Sequence, residues 1–154
     1  VEENKSYVPY VVETSVGLDR LFLSILSAAY KEEPLENGET RTVLNLPPAL
    51  APIKIAVFPL VKKDGLPELA ESIINDLKFD YAVAYDEKDT VGKRYRRHDA
   101  IGTPYCITVD HQSKEDKTVT VRHRDTMQQE RLPITELNKF FENKVSFKSL
   151  LKQL

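Results

Sequence analysis

The sequence predicts an α/β fold, a three-layer arrangement in which helices flank a mixed central sheet. Three observations carry this expectation. Between residues 53 and 109, apolar runs of strand length alternate with helical spacings in the order strand, helix, strand, helix, strand. That order implies right-handed crossovers and a mainly parallel βαβαβ core. From residue 117 the period drops to two, and a turn leads into a second run, which adds an antiparallel hairpin to the sheet. The third observation is compositional: 154 residues, 41% hydrophobic and 30% charged, suffice for one real core with room for an appendage.

The chain opens with Tyr7-Val8-Pro9-Tyr10-Val11-Val12-Glu13, which reads as a short strand with Pro9 near its start or on an edge. A small-residue turn, residues 14–17, precedes a helix over residues 17–30, where Leu18, Leu21, Phe22, Ile25, Leu26 and Ala29 share a face. Arg20 lies in its first turn, where a cation opposes the helix dipole, so it calls for an anionic partner. Residues 31–52 lack periodicity and carry five prolines and glycines, Pro34, Gly38, Pro47, Pro48 and Pro52, so they read as a linker. Within them, residues 43–46 are apolar enough to lie against a surface. Residues 53–58 form the next strand. Pro67, Glu68 and Glu71 then suit the start of a helix whose stripe is Leu66, Leu69, Ala70, Ile73, Ile74 and Leu77.

Residues 81–85 form the second parallel strand. Thr90 can cap a helix carrying Lys93, Arg94, Arg96 and Arg97 around Tyr95, with Val91, Tyr95, His98 and Ile101 roughly on one face. The turn Gly102-Thr103-Pro104 leads into the third strand, residues 105–109. Residues 117–124 alternate Val119, Val121 and His123 against Thr118, Thr120, Arg122 and Arg124. Residues 113–116 read as a solvated loop. Thr135 and Glu136 open a last helix with Leu137, Phe140 and Phe141 inward, and Phe147, Leu150, Leu151 and Leu154 repeat the spacing in a closing helix.

The net charge of −2 makes the chain no polycation, so nucleic-acid contact has to come from a local patch such as residues 93–97. The single cysteine, Cys106, sits in an apolar run, which excludes an internal disulfide framework and suits a reducing compartment. His98, His111 and His123 form no metal set with it, and no metal is expected. No apolar run spans a bilayer and no signal peptide is evident, so the expected location is cytoplasmic, without a membrane partner. The chain begins with Val1 rather than Met, as an excised piece of a larger protein would.

Two constellations match one family. Val12-Glu13-Thr14-Ser15-Val16-Gly17-Leu18-Asp19-Arg20 resembles motif 3 of class II aminoacyl-tRNA synthetases. Residues 51–60, 92–102 and 119–127 lie within a module, residues 53–154, that resembles the C-terminal anticodon-binding domain of class IIa synthetases. Together they are similar to the homodimeric glycyl-tRNA synthetases, over nearly the whole chain. The resemblance implies that Arg20 binds the ATP triphosphate, where a guanidinium adds to the backbone donors of a helix start. It implies that Glu13 holds the ammonium of substrate glycine and that Ser15 lines the same pocket. Thr14 stands where the family often has proline, a conservative change for a turn.

The implied organisation is a catalytic-domain remnant over residues 1–30, a linker over 31–52 and an anticodon-binding domain over 53–154. The signature motifs 1 and 2 are missing, so the fragment itself is expected to be inactive and to hold no cofactor. The intact enzyme, a homodimer, is expected to use ATP and Mg²⁺ to charge tRNA-Gly with glycine, with no DNA partner. Arg94, Arg97, Arg122 and Arg124, with Tyr85 and Asp86, are the expected anticodon contacts, because loop bases are stacked on aromatics or guanidinium planes and hydrogen-bonded at their edges. The alternatives are a non-catalytic relative, such as an accessory subunit of mitochondrial DNA polymerase, and the same domain of a threonyl-, prolyl- or histidyl-tRNA synthetase.

Overall fold

A computed structural model describes residues 7–35 and 38–152, without the side chains of residues 149 and 150. A helix α1 (Leu18–Ala29) leads into a two-stranded antiparallel sheet, β1 (Tyr30–Pro34) with β2 (Thr40–Leu44). The main sheet has five strands: β3 (Ile55–Pro59), β4 (Val83–Tyr85), β5 (Tyr105–Val109), β6 (Thr118–His123) and β7 (Gln129–Pro133), in the order β4-β3-β5-β6-β7. Around it lie α2 (Leu66–Leu77), α3 (Val91–Ala100), α4 (His111–Asp116), α5 (Leu137–Val145) and α6 (Phe147–Leu151), with a 3₁₀ turn (Ile134–Glu136) before α5.

β3 pairs parallel with both β4 and β5, in register Ile55↔Val83 and Ile55↔Tyr105. β6 and β7 extend the sheet antiparallel, in register Ile107↔Val121 and Val119↔Leu132. All five residues of β3 and of β5 are buried because both faces of the central strands are covered, which is why they read as continuous apolar runs. On one face Ile55, Val57, Ile107, Val119 and Val121 meet the stripe of α2 (Leu66, Ala70, Ile73, Leu77) and that of α5 (Leu137, Phe141, Val145). On the other, Ala56, Phe58 and Cys106 meet Tyr95 of α3. The step from β3 to β4 and the return from β4 to β5 run in opposite directions with their helices on opposite faces. Both crossovers therefore share one hand.

Several elements depart from expectation. Residues 7–17 form no strand and lie exposed, because a strand needs a partner for its backbone and none pairs with it among the described residues. Tyr10, Val12, Leu18 and Phe22 are exposed, whereas the far end of the α1 stripe turns inward, with Ala29 buried and Ile25 and Leu26 half-buried. Residues 31–52 carry β1 and β2, and Val43 and Leu46 are buried as an apolar stretch against a surface should be. Residues 113–116 lie in α4 rather than in a loop. Asp110 and Ser113 form a reciprocal capping box there, with Ser113 N–H donating to Asp110 Oδ1 (2.9 Å) and Asp110 N–H to Ser113 Oγ (3.1 Å). Thr90 occupies the N-cap position of α3 without a side-chain cap bond. Phe147 and Leu151 of α6 are exposed, so its spacing does not mark a buried face; Leu150's side chain and Leu154 lie outside the description.

Candidate nucleic-acid interface

The parallel strands β4, β3 and β5 finish at one end of the sheet, the end at which open α/β sheets take their ligands. Here that end is built from Tyr85, the loop 86–90 and the first turns of α3. Asp86 shapes the loop: its Oδ1 accepts from Lys88 N–H at 2.9 Å, a side-chain turn of the kind aspartate favours. Asp89 adopts the left-handed conformation, φ 66°.

Two arginines of α3 grip this loop from opposite sides. Arg94 is buried and spends its guanidinium on backbone carbonyls: Pro59 (2.6 Å), Glu87 (3.1 Å), Lys88 (3.2 Å) and Asp89 (2.7 Å). It ties the end of β3 to the loop after β4. Arg97 grips from outside, donating from Nε (3.0 Å) and Nη2 (2.7 Å) to Asp86 Oδ2, from Nη1 to Asp89 Oδ2 (3.2 Å) and from Nη2 to Lys88 O (2.9 Å).

Burial alone would push the Asp86 carboxyl up, but the Lys88 N–H and Arg97 outweigh it and hold it below the usual carboxylate range. The same bonds raise Arg97 further above its already high value. Tyr85, exposed, donates to Glu87 Oε2 at 2.7 Å; desolvation first and this bond second push its phenol far up, so it stays a neutral donor. Lys62 pairs with Glu87 at 3.2 Å, and Lys93 and Arg96 are exposed on the outer side of α3, Arg96 paired with Glu39. His98, buried against Phe58, is pushed down by desolvation and bonds Thr103 Oγ1 through Nδ1 at 3.1 Å.

Three of the expected contacts are corrected by this geometry. Arg94, Arg122 and Arg124 are buried and committed to the protein, so they offer no surface to a base. Arg122 forms a bidentate pair with Asp99 (2.8 and 3.0 Å), its guanidinium 4.7 Å from the centre of the Tyr95 ring. Arg41 of β2 reaches the same carboxylate (3.1 Å) and also donates to Arg124 O (2.9 Å). Arg124, 1% exposed, donates to the carbonyls of Leu44 (3.1 Å), Leu46 (2.8 Å) and Gly102 (2.8 Å), to Asn45 Oδ1 (2.9 Å) and to Asp125 Oδ1 (2.6 Å). These bonds fasten residues 41–46 to α3 and β6. Gly102 permits the approach, since at φ 83° a Cβ there would stand 2.9 Å from Leu44 O.

Arg41 and Asp99 escaped the sequence reading. Arg41 gave no signal, because the partner that ties it to α3, Asp99, is 58 residues away; its other partner, Glu33, lies within the hairpin. Asp99 gave a faint one, as the only acid in a strongly basic helix.

Glu13, Ser15 and Arg20 are exposed, on the extended stretch and the first turn of α1. By themselves they enclose no ligand and do not make a pocket for ATP, Mg²⁺ or glycine. Among the described residues no group of three or more His, Cys, Asp or Glu side chains is placed to hold a metal ion, and no helix is long and apolar enough to cross a membrane.

A family model described as "Anticodon binding domain" matches residues 54–144. The chain belongs to the anticodon-binding domain family. Curated relatives include the glycine–tRNA ligase of Borrelia hermsii (strain HS1 / DAH), 55% identical over 90% of this chain and 31% of the relative, and that of Rhodopirellula baltica, 57% identical over 87% and 26%. The chain thus spans about a third or less of the relatives' length. Among solved structures it is similar to the RNA-binding domain of threonyl-tRNA synthetase from Cryptosporidium parvum Iowa II (TM-score 0.60, 27% identity, 66% of this chain, 26% of that one). It is also similar to prolyl-tRNA synthetase from Cryptosporidium parvum (TM-score 0.58, 26% identity, 71% of this chain, 25% of that one). The sheet and its flanking helices are thus those of an anticodon-binding domain.

Proposed function

We propose that this anticodon-binding domain serves a glycine–tRNA ligase and engages the anticodon loop of tRNA-Gly at the carboxyl ends of β3 and β4. The observation that carries the reading is the contrast in identity, 55% to the Borrelia hermsii glycine–tRNA ligase against 27% and 26% to the threonyl and prolyl structures. That contrast favours glycine over another class IIa specificity, and a ligase over a non-catalytic relative. Tyr85 and Arg97 are the contacts open to a loop base, and Asp86 acts behind Arg97. Lys93 and Arg96 lie on the outer side of α3, where backbone phosphates would pass.

The longer protein, in this reading, is a cytoplasmic homodimer that uses ATP and Mg²⁺ to activate glycine and charge tRNA-Gly. Glu13, Ser15 and Arg20 complete its glycine and triphosphate sites only with residues from the rest of that protein. The 154-residue chain alone is therefore expected to be inactive in glycine-dependent ATP–pyrophosphate exchange.

Binding of tRNA-Gly transcripts, native and anticodon-substituted, across a salt series tests this. Binding that weakens on anticodon substitution supports the reading, and the slope against salt counts the phosphates contacted. Equal, weak binding to every RNA contradicts it for this chain.

A further inference from the structure

Arg97 is held by its edges. A guanidinium has five N–H donors in one plane. Here Nε donates once, Nη2 twice and Nη1 once, to Asp86, Lys88 O and Asp89, so a single N–H remains uncommitted. Yet the side chain is 41% exposed. With four of the five N–H donors taken, a further partner can meet the guanidinium chiefly over its face. Its charge is also countered locally, because one arginine faces two carboxylates, and the adjacent Lys62 and Glu87 pair with each other. A phosphate would meet an acidic surround and would have to displace Asp86 or Asp89 to bond the rim. A base needs neither: it stacks on the open face, and the acidic rim suits a base edge bearing amino donors.

The geometry points to Arg97 as a stacking platform for one unpaired base of the bound RNA, with Asp86 and Asp89 as positioning residues that hold its plane. This inference rests on the reading of the carboxyl end of β4 as the RNA-facing site and adds how that site makes contact. Guanidinium planes are known surfaces for splayed-out loop bases, and the interaction requires the plane rather than the charge.

Arg97→Lys separates the possibilities, because it keeps the charge and removes the plane. In filter binding of a tRNA-Gly transcript by the 154-residue chain, Arg97→Lys is expected to weaken affinity roughly 5- to 150-fold, the range of one lost base stack. The slope of log affinity against log salt is expected to stay at the wild-type value, because no phosphate contact is lost. Wild-type affinity in Arg97→Lys, or a slope that falls by about one in Arg97→Ala, would show a phosphate contact and overturn the inference.

A transcript with 2-aminopurine in the anticodon loop gives a readout independent of affinity. At saturation its fluorescence should be quenched by the wild type and not by Arg97→Lys; equal quenching by both overturns the inference. Thermal melting of each variant confirms that the fold is intact. Failure of the wild type to bind the transcript at all would overturn the reading of the site itself, which a change confined to Arg97→Lys would not.

Discussion

Arg97 and Arg124 are the same residue type with opposite energetics, and burial separates them. Arg124, 1% exposed, supplies hydrogen bonds to three backbone carbonyls. Truncation removes the donor from the buried carbonyls of Leu46 and Gly102, so Arg124→Ala should cost about 3 kcal/mol, read as a lowered urea midpoint. Arg97 sits in exposed ion pairs, which contribute under about 1 kcal/mol, so Arg97→Ala should leave the midpoint almost unchanged while weakening RNA binding. His98 adds a pH dependence. Its folded-state value lies below the ordinary 6.5 because burial disfavours the imidazolium. The unfolded chain therefore binds the extra proton first, and stability should fall as pH drops through 6.5 toward the folded value. His98→Gln should flatten that part of a stability–pH profile, and an unchanged profile would exclude His98 as its source.

At the scale of elements, polar groups help to fasten the β1–β2 hairpin to the domain, beside the buried Val43. Asp99, fully buried, receives Arg122 and Arg41 together. Asp99→Asn leaves buried Arg122 without its carboxylate and Arg41 with Glu33 alone, and should cost about 3–5 kcal/mol. Amide exchange should then rise first in β1 and β2, whose hold on α3 runs through Arg41; uniform destabilisation would argue against such a fastening role.

The same feature explains what the sequence left hidden. β3, β5, α2 and α5 were legible because their apolar spacing alone specifies which face is buried. The hairpin was not, since Arg41, Thr42 and Glu33 carry no period, and the pairing that orders them lies with residues 99 and 124. α4 was missed because six residues form less than two turns, and its start is signalled only by Asp110 and Ser113. Of the expected anticodon contacts, residue type pointed to arginine but could not separate exposed Arg97 from buried Arg94, three positions away on the same helix.

At the scale of the molecule, a compact α/β domain carries a leading segment whose apolar side chains are unmet. Tyr7, Val8, Tyr10, Val11 and Val12, with Leu18 and Phe22, are exposed, whereas the residues from Val43 onward that contact the domain are buried. This asymmetry agrees with a chain spanning 31% of the glycine–tRNA ligase of Borrelia hermsii. On the proposed reading, RNA contact lies at the carboxyl end of the parallel strands, and residues 13–20 belong to a catalytic site completed by the rest of a longer protein.

The most direct test of that placement is to titrate the isotope-labelled chain with the anticodon stem-loop of tRNA-Gly and follow its amide resonances. The expected result is perturbation concentrated at residues 85–89 and at Lys93, Arg96 and Arg97, with residues 7–30 unmoved. Perturbation centred on α1, or on β7 and α5, with the loop after β4 silent would contradict it.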